Sequence, residues 1–355
     1  MEEQIYMTDR YIVNIPSLHK EVGKKVAAYI DTLTKPIGSL GRLESIAIEL
    51  AEITGEDFPN VTPPAAIVFA ADHGITDEGV SAYPKEVTAQ MVYNFLEGGA
   101  AMNVFCKKID AFFTIVDVGV AEDIAHEQLT SKKIRHSTRN FYHENAMTKA
   151  EAIEALNVDR EEVQKMIEKG SKAIIVGEMG IGNTSAASAI IAVITQKSLQ
   201  QLTGPGTGLS DEGMERKAQI IEEAIKKRQP NPEDALDILV KIGGYEIAAM
   251  AGAMLEAAKN KLPIIVDGLI CTSAALIAKL INERVVDYMF IGHHSLEPGH
   301  ESAFTVLEKE PILNLNMHLG EGTGAALAFP IIESASNMLR DMATFADAGV
   351  SEKST

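Results

Sequence analysis

The chain has 355 residues, 46% of them hydrophobic, and a formal net charge of −18. That length and apolar content suffice for a large core, and so acidic a balance argues against a nucleic-acid surface, whose affinity comes mostly from Lys and Arg. The two cysteines, Cys106 and Cys271, match no metal-ligand spacing and are expected as buried small hydrophobes in a reducing cytoplasm; no signal peptide is expected from Met1-Glu2-Glu3-Gln4, and no apolar stretch reaches the roughly 18 residues of a membrane span.

Residues 1–60 read as helical. Ile46, Ile48, Leu50, Ala51 and Ile53 mix with Glu44, Glu49 and Glu52 at a helix-like period, behind a Pro- and Gly-fixed loop, Lys35-Pro36-Ile37-Gly38-Ser39-Leu40-Gly41. A first strand is predicted over 65–71, a helix over 86–106 with Gly98-Gly99 as its weak point, and a second strand over 112–118. Residues 121–165 are polar and irregular, turning helical from about Lys149. A third strand, 173–176, runs into Gly177-Glu178-Met179-Gly180-Ile181-Gly182-Asn183 and a helix of small residues, Ser185–Ile190. Gly204-Pro205-Gly206-Thr207-Gly208 precedes a charged helix carrying Lys217, and Gly243-Gly244-Tyr245-Glu246 opens an Ala-rich one. Strands follow at 263–266 and 288–291. A third glycine turn, Gly320-Glu321-Gly322-Thr323-Gly324, precedes a helix from Ala325, and the tail after Phe345 is expected to fray.

Short apolar runs alternating with helical patterns predict a parallel sheet buried on both faces. Each run ends beside an acid or imidazole and a glycine: Asp72-His73-Gly74, Asp117 before Gly119, Gly177-Glu178, Asp267-Gly268, Gly292-His293. Ligands of such sheets bind outside the carboxyl ends of the strands, so these groups are expected to share one site.

A glycine turn before a helix lets a phosphate approach backbone N–H groups at the positive end of the helix dipole. One such turn is as readily ordinary turn chemistry; three in one chain favour the cradle. None fits Gly-x-Gly-x-x-Gly with a following acid, or Gly-x-x-x-x-Gly-Lys-Ser/Thr, so neither a dinucleotide site nor triphosphate hydrolysis is supported. Glu178 and Glu321, each among glycines, face either solvent or a ligand; in a dry pocket such a carboxyl has a raised pKa and serves as a general base. His73, His293, His294 and His300 read as core or supporting histidines rather than metal ligands, and Lys217 as a surface lysine or a phosphate contact.

The ordered motifs resemble the nicotinate-nucleotide–dimethylbenzimidazole phosphoribosyltransferase family over nearly the whole chain. They are Lys35–Gly41, Ala71-Asp72-His73-Gly74, Tyr83–Met91, Gly98-Gly99-Ala100-Ala101, Gly177–Thr184, Gly206-Thr207-Gly208, Asp267-Gly268, Glu297-Pro298-Gly299-His300 and Leu319–Ala325. The resemblance implies an α/β fold: a doubly wound, Rossmann-like parallel sheet over 60–330. A smaller, mostly helical domain would come from 1–59 and 331–355, with a helical insertion. It also implies a homodimer, no metal and no cofactor.

The substrates it implies are nicotinate mononucleotide and an aromatic base. Glu321 would be the general base, and Glu178 would support the ribose or back up the base. Gly180, Gly182 and Asn183 would cradle the phosphoribosyl group, Lys217 and Ser295 would contact phosphate, and Asp267 would sit near the ribose. Tyr83, Gln90, Met91 and Leu319 would line the base pocket. Two departures stand out: Pro205 where the family commonly has arginine, and no glycine before Thr138 in Arg135–Phe141. They leave open a changed acceptor preference or a paralogue working with a partner subunit. The rival reading is a mononucleotide-binding protein without catalysis, which has no use for two carboxylates beside an acceptor slot. Dimethylbenzimidazole, other benzimidazoles, adenine and phenolic acceptors all stay open, because one methyl group in an apolar pocket changes discrimination by only about 1–3 kcal/mol.

Overall fold

Runs that are apolar on both faces become the inner strands of one sheet. The computed structural model describes residues 12–204 and 208–351. Its strands are β1 (Pro64–Ala71), β2 (Phe112–Gly119), β3 (Thr130–Ser131), β4 (Ala173–Met179), β5 (Ile264–Val266), β6 (Met289–His293) and β7 (Pro311–Leu313). They lie in the order β3-β2-β1-β4-β5-β6-β7, every neighbouring pair parallel. The central strands β1 and β4 are buried at every residue. The five predicted strands are all present. The sequence reading missed β3 and β7, edge strands of two and three residues that are at most half-buried and so carry no apolar run.

The chain leaves β1 outward to β2 and β3, then returns to β4 on the other side of β1. The strand order therefore reverses between β1 and β4, and a crevice opens there at the strand ends. The β1–β4 register pairs Phe69 with Glu178 and Ala70 with Met179, so Glu178 arrives at that crevice.

The helices are α1 (Lys20–Ile30), α2 (Arg42–Thr54), α3 (Glu86–Leu96), α4 (Ala101–Lys108), α5 (Lys149–Glu168), α6 (Asn183–Thr195), α7 (Leu199–Leu202), α8 (Asp211–Arg228), α9 (Ala235–Ile242), α10 (Tyr245–Lys259), α11 (Leu269–Ile281), α12 (Gly299–Val306), α13 (Thr323–Asp341) and α14 (Phe345–Ala348). Helices α6, α10 and α11 are buried nearly all round, as their small and apolar residues demand; α11 packs against the other two, and α10 and α11 lie on the sheet. Helix α13 packs instead with α2 and α4 and lies across β4 to β7. It runs unbroken through Pro330. No helix among the described residues is long and apolar enough to cross a membrane.

Three expectations need correction. The helix predicted over 86–106 is two helices, because Gly98 takes a left-handed φ of 76° and ends α3. Helix in the first 60 residues is confined, among those described, to α1 and α2; residues 12–19 are non-helical, held where Asn282 Nδ2 donates to the Val13 carbonyl at 2.8 Å and the Tyr288 hydroxyl to that of Pro16 at 2.9 Å. Of the tail after Phe345, residues 346–348 belong to α14, whose N-terminus is capped as Asp347 N–H donates to Thr344 Oγ1 at 3.1 Å, and residues 352–355 lie outside the described residues.

Candidate active site

The site is built on a glycine in the middle of a strand. A Cβ at Gly177 of β4 would overlap the Glu321 carbonyl oxygen, so only glycine lets the Gly320–Gly324 turn rest on the strand. At Gly292 of β6 a Cβ would come within 2.7 Å of the Ala325 Cα, so a second strand glycine receives the same turn. Glu321 itself is held at φ +64°, a conformation costly for a residue with a side chain.

Asp267, at the end of β5, fixes that turn from below. Its Oδ2 accepts from Gly322 N–H at 3.1 Å and its Oδ1 from Ala325 N–H at 3.0 Å, capping α13. The residue is wholly buried and both oxygens are engaged by backbone. His293 Nε2 stands 3.3 Å from Asp267 Oδ1, with the imidazole packed against Gly324.

Glu178 meets the turn directly. Its Oε1 accepts from Glu321 N–H at 3.2 Å and its Oε2 from the Asn183 side-chain amide. Burial, with the negative charges of Glu246, Asp267 and Glu321 adding to it, pushes its carboxyl up to about 8 against the single backbone donor. Burial, and then the charge of Asp267, pushes Glu321 up to about 7. Glu321 Oε2 is buried with no hydrogen-bond partner among the described residues. Two carboxyls that would ionise near pH 4.5 in water thus both titrate near neutrality.

The Gly180–Asn183 turn leads into α6. A Cβ at Gly180 would overlap the Ala71 carbonyl oxygen, and Gly182 has φ +97°, so both positions need glycine. Ile181 N–H donates to Thr88 Oγ1 at 3.0 Å, which ties α3 to the turn. Lys217 of α8 is buried and its Nζ donates to Thr184 Oγ1 at 2.8 Å, one residue into α6 from Asn183; burial lowers its ammonium to about 8, partly offset by the charge of Glu297. Ser295 N–H donates to His300 Nδ1 at 2.9 Å, so the proton of that ring sits on Nε2, 2.9 Å from Thr272 Oγ1, which in turn donates to the Gly268 carbonyl at 2.8 Å. Burial, then His293 and His294, holds the His300 imidazole down at about 3, so it is a neutral strut under Ser295.

The structure therefore brings Glu178, Gly180, Gly182, Asn183, Asp267 and Glu321 into one connected constellation, with Lys217 and Thr184 adjoining it. Tyr83 and Leu319 are exposed, on the loops leading into α3 and into the Glu321 turn; Gln90 is exposed and Met91 half-buried on α3. Among the described residues no three of His, Cys, Asp and Glu gather as a metal site. Thr88, Thr184 and Glu246 belong to the constellation; the sequence reading placed them inside its motifs but gave none of them a role, since each looks like an ordinary helix-start residue.

The two departures fare differently. Pro205 lies outside the described residues. Ser137, where a glycine is often found, has φ +62°, so a residue with a side chain occupies a left-handed position. Thr138 still accepts from Gly74 N–H at 3.2 Å and donates its own N–H to the Asp72 carbonyl at 3.0 Å.

The family described as Phosphoribosyltransferase matches residues 15–350. The nicotinate-nucleotide–dimethylbenzimidazole phosphoribosyltransferase of Chloroflexus aurantiacus is 49% identical over 324 residues, 91% of this chain and 92% of that one. The protein of the same name from Halalkalibacterium halodurans is 47% identical over 340 residues, 96% and 95% of the two chains. Two solved structures from Thermus thermophilus superpose closely. One, titled as the same transferase, has a TM-score of 0.89 at 40% identity, covering 94% of this chain and 99% of the other. The second, titled CobT, has a TM-score of 0.90 at 41% identity, covering 94% and 100%.

Proposed function

The chain belongs to this phosphoribosyltransferase family, and from that premise we propose that it moves phosphoribose from nicotinate mononucleotide to dimethylbenzimidazole or a related aromatic base. The products are nicotinate and an α-riboside 5′-phosphate, the lower-ligand precursor of cobalamin-type cofactors. The observation that carries the reading is the pair of buried carboxyls, Glu178 and Glu321, both titrating near neutrality between two glycine turns at the mouth of the sheet.

The phosphate sits at the N-terminus of α6, beside Gly180, Gly182 and Asn183, where the positive end of the helix dipole favours an anion. Lys217 and Ser295 supply further contacts. The ring N–H of the acceptor faces Glu321, and the other ring nitrogen attacks C1′ of the ribose. As that C–N bond forms, the bond to nicotinate breaks with its electron pair, the configuration inverts, and Glu321 takes the ring proton. A base with a pKa near 7 suits this work, since it is both available and strong enough at neutral pH. Glu178, largely protonated there, holds Asn183 and the Glu321 backbone without placing a second negative charge beside the first. Both oxygens of Asp267 are engaged by backbone, so it acts on the ribose site by fixing the Glu321 turn.

The base slot lies between α3 and the loop before Glu321, with Tyr83, Gln90, Met91 and Leu319 along it. Exposed apolar side chains at Ile37, Tyr83, Leu296, Leu315 and Leu319 support assembly as a homodimer, and two free, buried cysteines support a reducing, cytoplasmic setting. The division into a large domain over 60–330 and a small one from the chain ends places its later boundary inside α13, which would serve both. The test is a product assay by mass-resolved chromatography. Nicotinate mononucleotide is incubated with dimethylbenzimidazole, benzimidazole, adenine or phenol. A riboside phosphate that needs both substrates, with nicotinate released, supports the transferase; donor binding with no product from any acceptor returns the reading to a mononucleotide-binding protein.

A further inference from the structure

Immediately after β1, His73 Nε2 lies 2.7 Å from Glu246 Oε1, and both side chains are completely inaccessible to solvent. The bond joins residues 173 apart in sequence and ties the end of β1 to the second residue of α10. Glycines on two other segments leave room for this one imidazole. A Cβ at Gly182 would come within 3.1 Å of the His73 Cβ, and one at Gly180 within 3.6 Å of its Cδ2. A Cβ at Gly244 would stand 2.5 Å from its Cε1 and 2.6 Å from Glu246 Oε2. His73 therefore shares the floor of the Gly180–Gly182 turn with the Ala71 carbonyl under Gly180 and the Thr76 methyl under Gly182, and it is the member of that floor whose orientation a hydrogen bond sets. The neighbouring residue works on the same turn from the other side. Asp72 Oδ2 accepts from Ala121 N–H at 2.8 Å, and its carboxylate lies beside the Thr88 hydroxyl that receives Ile181 N–H.

A buried polar pair is weak evidence for stability, because an apolar pair of the same volume commonly serves as well or better. Here His73 Nδ1 and Glu246 Oε2 have no hydrogen-bond partner among the described residues, which adds to the cost. What the pair does supply is direction. A hydrogen-bonded imidazole has one ring orientation, and in the Gly180–Gly182 turn only Ile181 brings a side chain of its own to set the height over the sheet.

We propose that His73 and Glu246 are positioning residues for the donor: the hydrogen-bonded imidazole seats the Gly180–Gly182 turn at the height from which its backbone receives the phosphoribosyl group and Asn183 reaches Glu178. The role in transfer rests on the functional reading above; the seating of the turn does not.

Two variants and three readouts test it. His73→Leu fills much of the same space without the bond, and Glu246→Gln keeps a polar partner for the ring. Amide hydrogen exchange at Ile181, Gly182 and Asn183 reports the seat whether or not any substrate binds. In His73→Leu those amides exchange faster by about tenfold or more relative to the rest of α6, and in Glu246→Gln they stay within about threefold of wild type. Calorimetry with nicotinate mononucleotide alone then reads the donor site. The Kd rises by about tenfold or more in His73→Leu and stays near normal in Glu246→Gln, while the acceptor KM from steady-state kinetics is unchanged in both. Unchanged exchange at the three amides in His73→Leu overturns the proposal, as does faster exchange with an unaltered donor Kd. Uniformly faster exchange across α6 and α10, with donor and acceptor constants changed alike, also overturns it, because the pair would then be structural only. A wild-type protein that fails to bind nicotinate mononucleotide refutes the transferase reading and, with it, the donor part of this proposal; the exchange result still decides the seat.

Discussion

The backbone N–H of Glu321 donates to Oε1 of Glu178 at 3.2 Å, and this bond joins the end of β4 to the turn before α13. The two carboxyls are coupled through a fixed backbone contact, and Asp267 raises the proton affinity of both. They are therefore expected to titrate as a pair, with apparent steps near 7 and 8.

The proposed base, Glu321, must be ionised to act, so the rate is expected to rise with pH through about 7, where that carboxyl loses its proton. Glu321→Ala is expected to lower kcat by about 10²–10⁴ while leaving donor binding intact. Asp267→Asn removes a charge that holds the Glu321 proton on, so the ascending limb moves to lower pH, and the lost cap on α13 lowers the melting temperature. A pH–rate profile of the three proteins, beside calorimetric donor titrations, checks this. An ascending limb that stays in place in Asp267→Asn would contradict the electrostatic assignment.

Glu178 bears on stability in the opposite sense from a paired surface acid. Its folded pKa, about 8, lies above its ordinary 4.5, so the fold favours the neutral carboxyl. That contribution is complete below about pH 4.5 and is lost as pH rises through about 8. Glu178→Gln is neutral throughout. The melting temperature of the variant minus that of wild type is therefore expected to grow more positive between about pH 5 and 9, by an amount on the order of a few kcal/mol in free energy. Thermal unfolding across that range reads it directly; a difference that is flat or falls with pH would mean that the carboxyl is ionised throughout.

Lys217 gives the other side of the pH profile. Burial lowers its ammonium to about 8, so above that pH the free enzyme loses the charge proposed to meet the phosphate. For the donor, kcat/KM should fall above about pH 8. Lys217→Met should abolish that descending limb and raise the donor KM by about ten- to a hundredfold, the worth of one charged hydrogen bond, with little change in kcat. Steady-state kinetics against donor concentration at about pH 7 and 9 separates this from a structural loss, which would lower kcat as well.

What was legible in the sequence was what each segment carries by itself. The inner strands were readable because burial on both faces forces continuous apolar runs, and Glu178 and Glu321 stood out because a carboxylate among glycines has no local partner. The strand-end position of Asp267 was readable too. That both of its oxygens close on the backbone of residues 322 and 325 was not, since the contact spans more than fifty residues. Glu246 gave no signal at all: second in a helix after two glycines, it reads as an acid favoured by the helix dipole, and only the fold sets it against His73. Edge strands of two or three residues fell below any periodicity that a sequence can display.

Ser137 carries the last expectation, and it came from a departure that the sequence marked without explaining. The residue is held at φ +62° between Val118–Gly119 and Thr138, with its N–H donating to the Gly119 carbonyl at 3.0 Å and its hydroxyl to the Thr138 carbonyl at 3.1 Å. A left-handed conformation costs a residue with a Cβ roughly 1–2 kcal/mol, and glycine adopts it freely. Against that, glycine gives the unfolded chain more freedom, worth about 0.4–1 kcal/mol, and forfeits the hydroxyl bond. With the half-buried hydroxyl bond at the low end of its range, about 0.5 kcal/mol, the central values leave a small net gain, so Ser137→Gly is expected to leave kcat unchanged and to raise stability by about 0.3 kcal/mol. Urea unfolding monitored by circular dichroism, with the slope on denaturant unchanged, would resolve it as a small shift of the midpoint to higher urea. A shift to lower urea would show that the hydroxyl bond outweighs the backbone strain, and that the serine is a local gain in this chain rather than a tolerated cost.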